Sequence, residues 1–384
     1  MKDKKFRLSV RLAAGVLVFL AIAALLEGGS RLVLAFEDEI RRSPVLSIPL
    51  RAGLLLDPYE MSPRGMGYHW VLRPGYSASR EKLIAAKTAS KKIIGLRLLN
   101  KKGSVGIRIN SDGFRGPEID KTHAKPRILV LGDSVTFGLG SVSYPRIIER
   151  RLNDSGVAAE VVNGGVEGYG PRNLLFEIKR YKSLKPEITV IFIGWNSLFT
   201  ELDPTNRWGR YSKFIVLANK AVNLIRSIAY GKQAFAMKLY NRKLTADRDA
   251  PEIGVLDYYE PSFMPYFDKI IDGLEAAGSR VVIVTLPGLF TMSGEPSEKA
   301  LAIGHLPRFT TNTFVLAKMA GRLNQKLRDL ARRRGLALID LEKWSKKALV
   351  PRDAYFTDSV HLSAAGLDKV GTYMAKRLKK MIAR

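Results

Sequence analysis

Four consecutive apolar residues, Ile128, Leu129, Val130 and Leu131, constrain the fold more than any other part of this 384-residue chain. The run is too short for a helix and too continuous for a half-exposed strand. It reads as a strand buried on both faces, as in a parallel sheet covered by helices. Gly132 ends it, Asp133 and Ser134 follow, and Tyr144, Ile147, Ile148 and Leu152 then recur at helical spacing. A serine at the carboxyl end of such a strand sits where open α/β sheets bind ligands. It also sits at a helix N-terminus, whose field favours developing negative charge. A capping serine occupies the same place for purely structural reasons, so the rest of the chain has to decide between the two.

From Arg127 onward, strand-like and helical stretches alternate. Ala159–Asn163, Ile188–Gly194, Arg280–Leu286 and Leu336–Leu341 supply four more strands. Helices are expected from Pro171 to Leu184, within Ser262–Ala277, in the LAKMAGRLNQKLRDLARR stretch and at the C-terminus after HLSAAG. Five strands in this order predict a flavodoxin-like α/β fold, a parallel sheet sandwiched by helices, over residues 127–384. Residues 37–126 show only short strand-like pieces, Tyr68–Leu72 and Val105–Ile109, between turn signals, and predict a small mixed α/β subdomain. The alternation lapses at about 206–248. There, helical spacing puts Lys213, Lys220, Asn223 and Arg226 on one side and Phe214, Leu217, Ala221, Leu224 and Ile228 on the other. This basic amphipathic helix, about 212–243, is either a cover on its own domain or a surface for an anionic membrane.

Residues 1–36 read as a signal-anchor. Lys2, Lys4, Lys5, Arg7 and Arg11 precede the unbroken apolar run Leu12–Leu26. Residues 8–30 suffice to span a bilayer when Arg11 snorkels and Glu27 lies near the far interface. No small-x-small site followed by a polar start lies beyond the run, which favours an uncleaved anchor. The basic flank then stays cytoplasmic and the remainder is extracytoplasmic, periplasmic in a two-membrane cell. The formal charge of +27 favours polyanions, and this topology excludes nucleic acid in favour of lipid headgroups or an acidic envelope polymer. The chain has no cysteine, which excludes disulfides, thiolate metal sites and cysteine nucleophiles.

Near the C-terminus Asp358 precedes His361 by three residues in FTDSVHLSAAG. In one turn of chain a carboxylate at that spacing reaches the imidazole Nδ1, fixing the tautomer and leaving Nε2 as a base. Taken alone the pair also fits a capping acid beside a surface histidine. Chain order adds weight: Ser134 follows the first strand and Asp358 and His361 the fifth, so both lie at the carboxyl edge of one sheet. The second and third strands end on that edge in NGGVEG (Asn163–Gly168) and GWN (Gly194–Asn196), sources of backbone N–H and amide donors for an oxyanion.

These four blocks together resemble the SGNH or GDSL hydrolase family. The resemblance covers about residues 127–384 and implies the SGNH hydrolase fold, with Ser134 as nucleophile and Asp358 and His361 completing the triad. It also implies an oxyanion hole of Ser134 N–H, Gly165 N–H and the Asn196 amide, with no metal and no organic cofactor. The third block carries Ser197 where the family usually has an acid, a change that touches loop geometry and substrate fit more than the reaction. The implied activity is hydrolysis of O-acyl, foremost O-acetyl, esters of an envelope carbohydrate through an acyl-enzyme. Three alternatives stay open: acyl transfer to a polysaccharide with a membrane acyl-donor partner, lipid ester hydrolysis, and non-catalytic polymer binding. Trp195, Trp208 and Tyr211 near the third loop are candidate sugar platforms, or core and lid residues.

Overall fold

The computed structural model describes residues 2–35, 59–61, 70–79, 81, 106–138, 142–201, 204–205, 212, 214–215, 217–218 and 242–382. Most of the basic stretch 212–243, nearly all of Arg80–Lys102, and both Trp208 and Tyr211 lie outside the described residues. The chain divides into two compact units.

One unit takes in residues 1–53, 63–68 and 202–235. Its described part is chiefly helix α1 (Lys2–Ala35), of which Ala14–Val33 has a mean hydropathy of 1.9. Val16, Leu17, Phe19, Leu20 and Leu25 stand exposed along it. Its length and composition suit a membrane span or a signal sequence equally. Glu27 is the acid in its second half. The carboxylate accepts from Arg31 Nε at 2.9 Å, from Ser212 Oγ at 2.9 Å and from the Phe214 N–H at 3.1 Å.

The other unit holds residues 54–62, 69–201 and 236–384. It begins with short antiparallel pairs: β1 (Tyr59–Met61) with β2 (Trp70–Leu72), and β3 (Ser77–Ala78) with β4 (Ile107–Arg108). Then come β5 (Arg127–Gly132), α2 (Ser134–Phe137), α3 (Tyr144–Asp154), β6 (Glu160–Gly165), α4 (Pro171–Phe176), α5 (Ile178–Ser183), β7 (Ile188–Phe192) and α6 (Trp195–Thr200). After the insertion follow α7 (Met264–Glu275), β8 (Arg280–Val284), α8 (Thr313–Arg334), β9 (Ala337–Ile339) and α9 (Ala364–Ile382). Strands β5 to β9 form one all-parallel sheet in the order β6-β5-β7-β8-β9, the flavodoxin-like order expected. All of β5 and β7 is buried, which is why both are apolar apart from Arg127 and Thr189.

One expectation changes. The helix predicted across Pro171–Leu184 is broken into α4 and α5 at Glu177, which is buried and leaves helical backbone at φ −93°, ψ 6°. The described parts of 37–126 pack on the sheet-bearing unit. Leu72, Ile107, Ile109, Phe114 and Ile119 are buried in the same apolar core as the sheet, so 70–79 and 106–126 belong to its unit. They were hard to read because an element of two or three residues leaves no periodicity to detect.

Candidate active site

Strand β5 delivers Ser134. Gly132 ends the strand, and Asp133 caps α2 by accepting the Val135 N–H on Oδ1 at 3.0 Å. Ser134 is therefore the first residue of a helix only four residues long. The turn before α9 brings the candidate base, His361. Asp358 Oδ1 accepts the N–H groups of Val360 at 2.9 Å and His361 at 2.8 Å, and this turn aims Oδ2 at His361 Nδ1, 2.7 Å away. His361 Nε2 lies 2.8 Å from Ser134 Oγ. Three side chains separated by 227 positions in sequence thus form one hydrogen-bonded line.

The electrostatics follow from that line. Burial opposes the Asp358 anion, but the His361 charge and its two hydrogen bonds overcome this and hold the carboxyl well below its usual range. Burial likewise opposes the His361 cation. The Asp358 carboxylate, by charge and hydrogen bond, with Asp133 and Glu167 further off, lifts its pKa above the ordinary imidazole value.

The candidate oxyanion donors divide. Asn196, on α6, donates one amide N–H to the Tyr169 carbonyl at 3.0 Å, which fixes the side chain and leaves its second amide hydrogen for another acceptor. Gly165 is a correction to the sequence reading. It is the buried last residue of β6 and its N–H is already donated to Asn163 Oδ1 at 2.9 Å. It is glycine for space: a Cβ there would press on Phe137 N and lie 2.7 Å from the Thr136 carbonyl carbon. The exposed glycine of this loop is Gly168, whose φ of +78° is the left-handed conformation glycine favours. Its position is held by Trp70, which donates from Nε1 to the Glu167 carbonyl at 3.0 Å, and by Tyr169, whose hydroxyl donates to the Trp70 carbonyl at 2.5 Å. The alternation of three glycines in NGGVEG gave no means of telling the packed one from the exposed one.

A sequence profile of GDSL-like lipases and acylhydrolases matches residues 130–369. The chain belongs to the GDSL-like lipase/acylhydrolase family. It is accordingly a serine hydrolase of the ester-cleaving class. Among solved structures it is similar to a lipase/acylhydrolase from Enterococcus faecalis, with 16% identity over 67% of this chain and 96% of that one, TM-score 0.39. An acetyl xylan esterase from Geobacillus stearothermophilus shows 14% identity over 66% and 94%, TM-score 0.39. A member of the lipolytic G-D-S-L family from Veillonella parvula shows 15% over 66% and 97%, TM-score 0.37. Among curated proteins, none matches the chain.

Two groups around the acylhydrolase site were not foreseen. Asp133 is 1% exposed and its Oδ2 has no hydrogen-bond partner; burial pushes its pKa up to about 6, with the Val135 N–H and the His361 charge pulling the other way. His305 is brought in by Ser359, whose hydroxyl accepts the His305 N–H at 2.8 Å and donates to the His305 carbonyl. Its ring lies against Phe199 with centroids 4.8 Å apart, and burial lowers its pKa, with Asp358 opposing. Nothing in the sequence around His305 signals this. Trp195 is no sugar platform: it is 4% exposed and its ring packs where a Cβ on Gly288 would sit. Among the described residues there is no group of three or more His, Asp or Glu arranged to hold a metal ion.

Proposed function

We propose that this acylhydrolase removes short O-acyl groups, O-acetyl foremost, from an envelope carbohydrate, and that residues 8–30 anchor it in a membrane with its N-terminus cytoplasmic and its catalytic unit outside. The observation that carries the chemistry is the unbroken line from Ser134 Oγ through His361 to Asp358 Oδ2, at 2.8 and 2.7 Å. In this reading His361 Nε2 takes the Ser134 proton as Oγ attacks the ester carbonyl. The imidazolium, held by Asp358, then returns the proton to the departing alcohol. The tetrahedral oxyanion receives the Ser134 N–H, the second amide hydrogen of Asn196 and the Gly168 N–H, the last in place of Gly165. Water, deprotonated by His361, releases the acyl group as a carboxylate and restores the serine.

Two features support the choice of a small acyl group on an anionic, membrane-proximal polymer. The charge of +27 draws polyanions toward the chain, and no long apolar segment beyond the N-terminal helix offers the lining for a deep acyl-chain tunnel. The test is hydrolysis of 4-nitrophenyl esters of increasing chain length by the detergent-solubilised chain, beside Ser134→Ala. Turnover that depends on Ser134 and favours acetate supports the reading. A preference for long chains moves the substrate to lipids, and product formed only when a sugar hydroxyl is added marks a transferase served by a membrane acyl donor. Equal rates in parent and Ser134→Ala would defeat the mechanism.

A further inference from the structure

Helix α2 carries the nucleophile and is too short to hold itself. Its own backbone supplies the bonds Phe137 N–H to Asp133 carbonyl, 2.9 Å, and Gly138 N–H to Ser134 carbonyl, 3.0 Å. A four-residue helix has no intrinsic stability in water, and its last carbonyls have no partners within the helix. They find them elsewhere. Asn163 Nδ2 donates to the Thr136 carbonyl at 3.0 Å and reaches the Phe137 carbonyl at 3.5 Å. Arg115 Nη1 donates to both the Phe137 and Gly138 carbonyls, and its guanidinium lies 4.7 Å from the centre of the Phe137 ring. A cation at this end also complements the helix dipole.

Arg115 comes from outside the matched family region of 130–369. The segment that presents it is stiff. Asn110 Oδ1 accepts the N–H groups of Asp112 and Phe114, the Asn110 N–H reaches the Phe114 carbonyl at 2.8 Å, and Arg115 itself forms a backbone bridge to Asn163. Both donors to the end of α2 therefore belong to one bridged pair, one from the family fold and one from the preceding segment.

From this geometry we infer that Arg115 is a positioning residue for the reaction: its guanidinium clamps the C-terminal carbonyls of α2 and thereby sets the reach of Ser134 Oγ toward His361 and the ester carbon. The inference rests on the hydrolase reading above. A misplacement of about 1 Å at a reacting atom is worth about 10²-fold in rate, so losing the clamp is expected to slow the chemical step and leave substrate affinity largely alone.

The experiment compares parent, Arg115→Met and Arg115→Lys as full chains in detergent. Methionine keeps a stem to lie on Phe137 but donates nothing, whereas lysine keeps the charge without the planar fork. Each is followed with 4-nitrophenyl acetate and with a fluorophosphonate that labels active serines, read as the rate constant per labelled site and as the final fraction labelled. Rates per site should fall in the order parent, lysine, methionine, with methionine about 10- to 100-fold below parent in both labelling and kcat, and KM within about twofold. A parent-like rate per site in Arg115→Met overturns the inference, and so does a smaller labelled fraction reacting at the parent rate, the signature of a purely structural role. If Arg115→Met does not fold, Arg115→Lys decides: slower labelling than parent supports the clamp and the parent rate overturns it. A parent that is neither labelled at Ser134 nor active would instead bring down the hydrolase reading and the clamp with it, which keeps the two failures apart.

Discussion

Replacing Gly165 with alanine asks whether that residue is packing or an open donor. The added Cβ would sit 2.7 Å from the Thr136 carbonyl carbon and 2.8 Å from Thr136 Cβ, with Phe137 N nearer still. Ordinary contact begins near 3.4 Å, so α2 has to retreat by at least about 0.7 Å. Backbone cannot rotate away as a side chain tip can, and the helix that must move carries Ser134. Overpacking of this kind costs about 1–3 kcal/mol, and a displacement approaching 1 Å at the nucleophile costs about 10²-fold in turnover. Thermal unfolding and 4-nitrophenyl acetate hydrolysis, measured on Gly165→Ala beside parent, are expected to show a Tm lower by several degrees and a kcat lower by about two orders of magnitude. Alanine retains the backbone N–H, so an open donor at this position would keep its hydrogen bond to the oxyanion. Parent-like stability together with parent-like turnover would refute the packing argument and restore Gly165 to the oxyanion hole.

Other outcomes follow from the same geometry. Asn196→Ala removes an amide donor and should lower kcat about 100- to 1000-fold with KM little changed; a loss confined to KM would mean that Asn196 binds substrate rather than the oxyanion. Asp358→Asn keeps the shape of the turn but removes the charge that orients and supports His361, and kcat is expected to fall about 10⁴-fold in steady-state assays. Because His361 must be neutral to take the Ser134 proton and its pKa is raised, kcat/KM should climb with pH through a midpoint above the ordinary imidazole value of about 6.5, and be lost as pH falls through it. A midpoint at or below pH 6 would contradict the placement of three carboxylates around that ring.

Much of this arrangement was legible because the strands of a parallel sheet are buried on both faces. Ile128–Leu131 announces itself as an uninterrupted apolar run and Ile188–Gly194 as one broken only by Thr189, and the order of five such runs carries the flavodoxin-like topology, with strand ends shifted by at most two residues. The meeting of Ser134, His361 and Asp358 was legible for a related reason: residues at the carboxyl ends of parallel strands share one edge however far apart they lie in sequence. What escaped depends on contacts that sequence spacing does not encode. Gly165 and Gly168 differ in which of them meets α2, and that is settled by the register that sets Gly132 opposite Gly165. Arg115 and Trp70 arrive from strands and turns of two or three residues, too short for any period, and His305 reaches the site because a serine hydroxyl two positions before His361 binds its backbone.

Asp358, His361 and Asp133 respond differently to pH. Asp358 has a depressed folded pKa, so its contribution is present above its unfolded value near 3.8 and is lost as pH falls through the folded one. His361 has a raised folded pKa, so its contribution is fully present below about 6.5 and is lost as pH rises through the folded value. Asp133 moves the other way from Asp358: a rise from 3.8 to about 6 means that ionised Asp133 costs the fold about 3 kcal/mol at pH 8, and stability returns as pH falls from about 6 toward 4. The fold therefore keeps, beside Ser134, a carboxylate that it would hold more comfortably protonated. What that charge supplies is attraction for the imidazolium, the species formed when Ser134 gives up its proton and absent from the resting enzyme at alkaline pH. The burial cost of the Asp133 carboxylate is common to the resting and charged forms, so in the proposed reaction only its attraction for the imidazolium bears on the proton transfer.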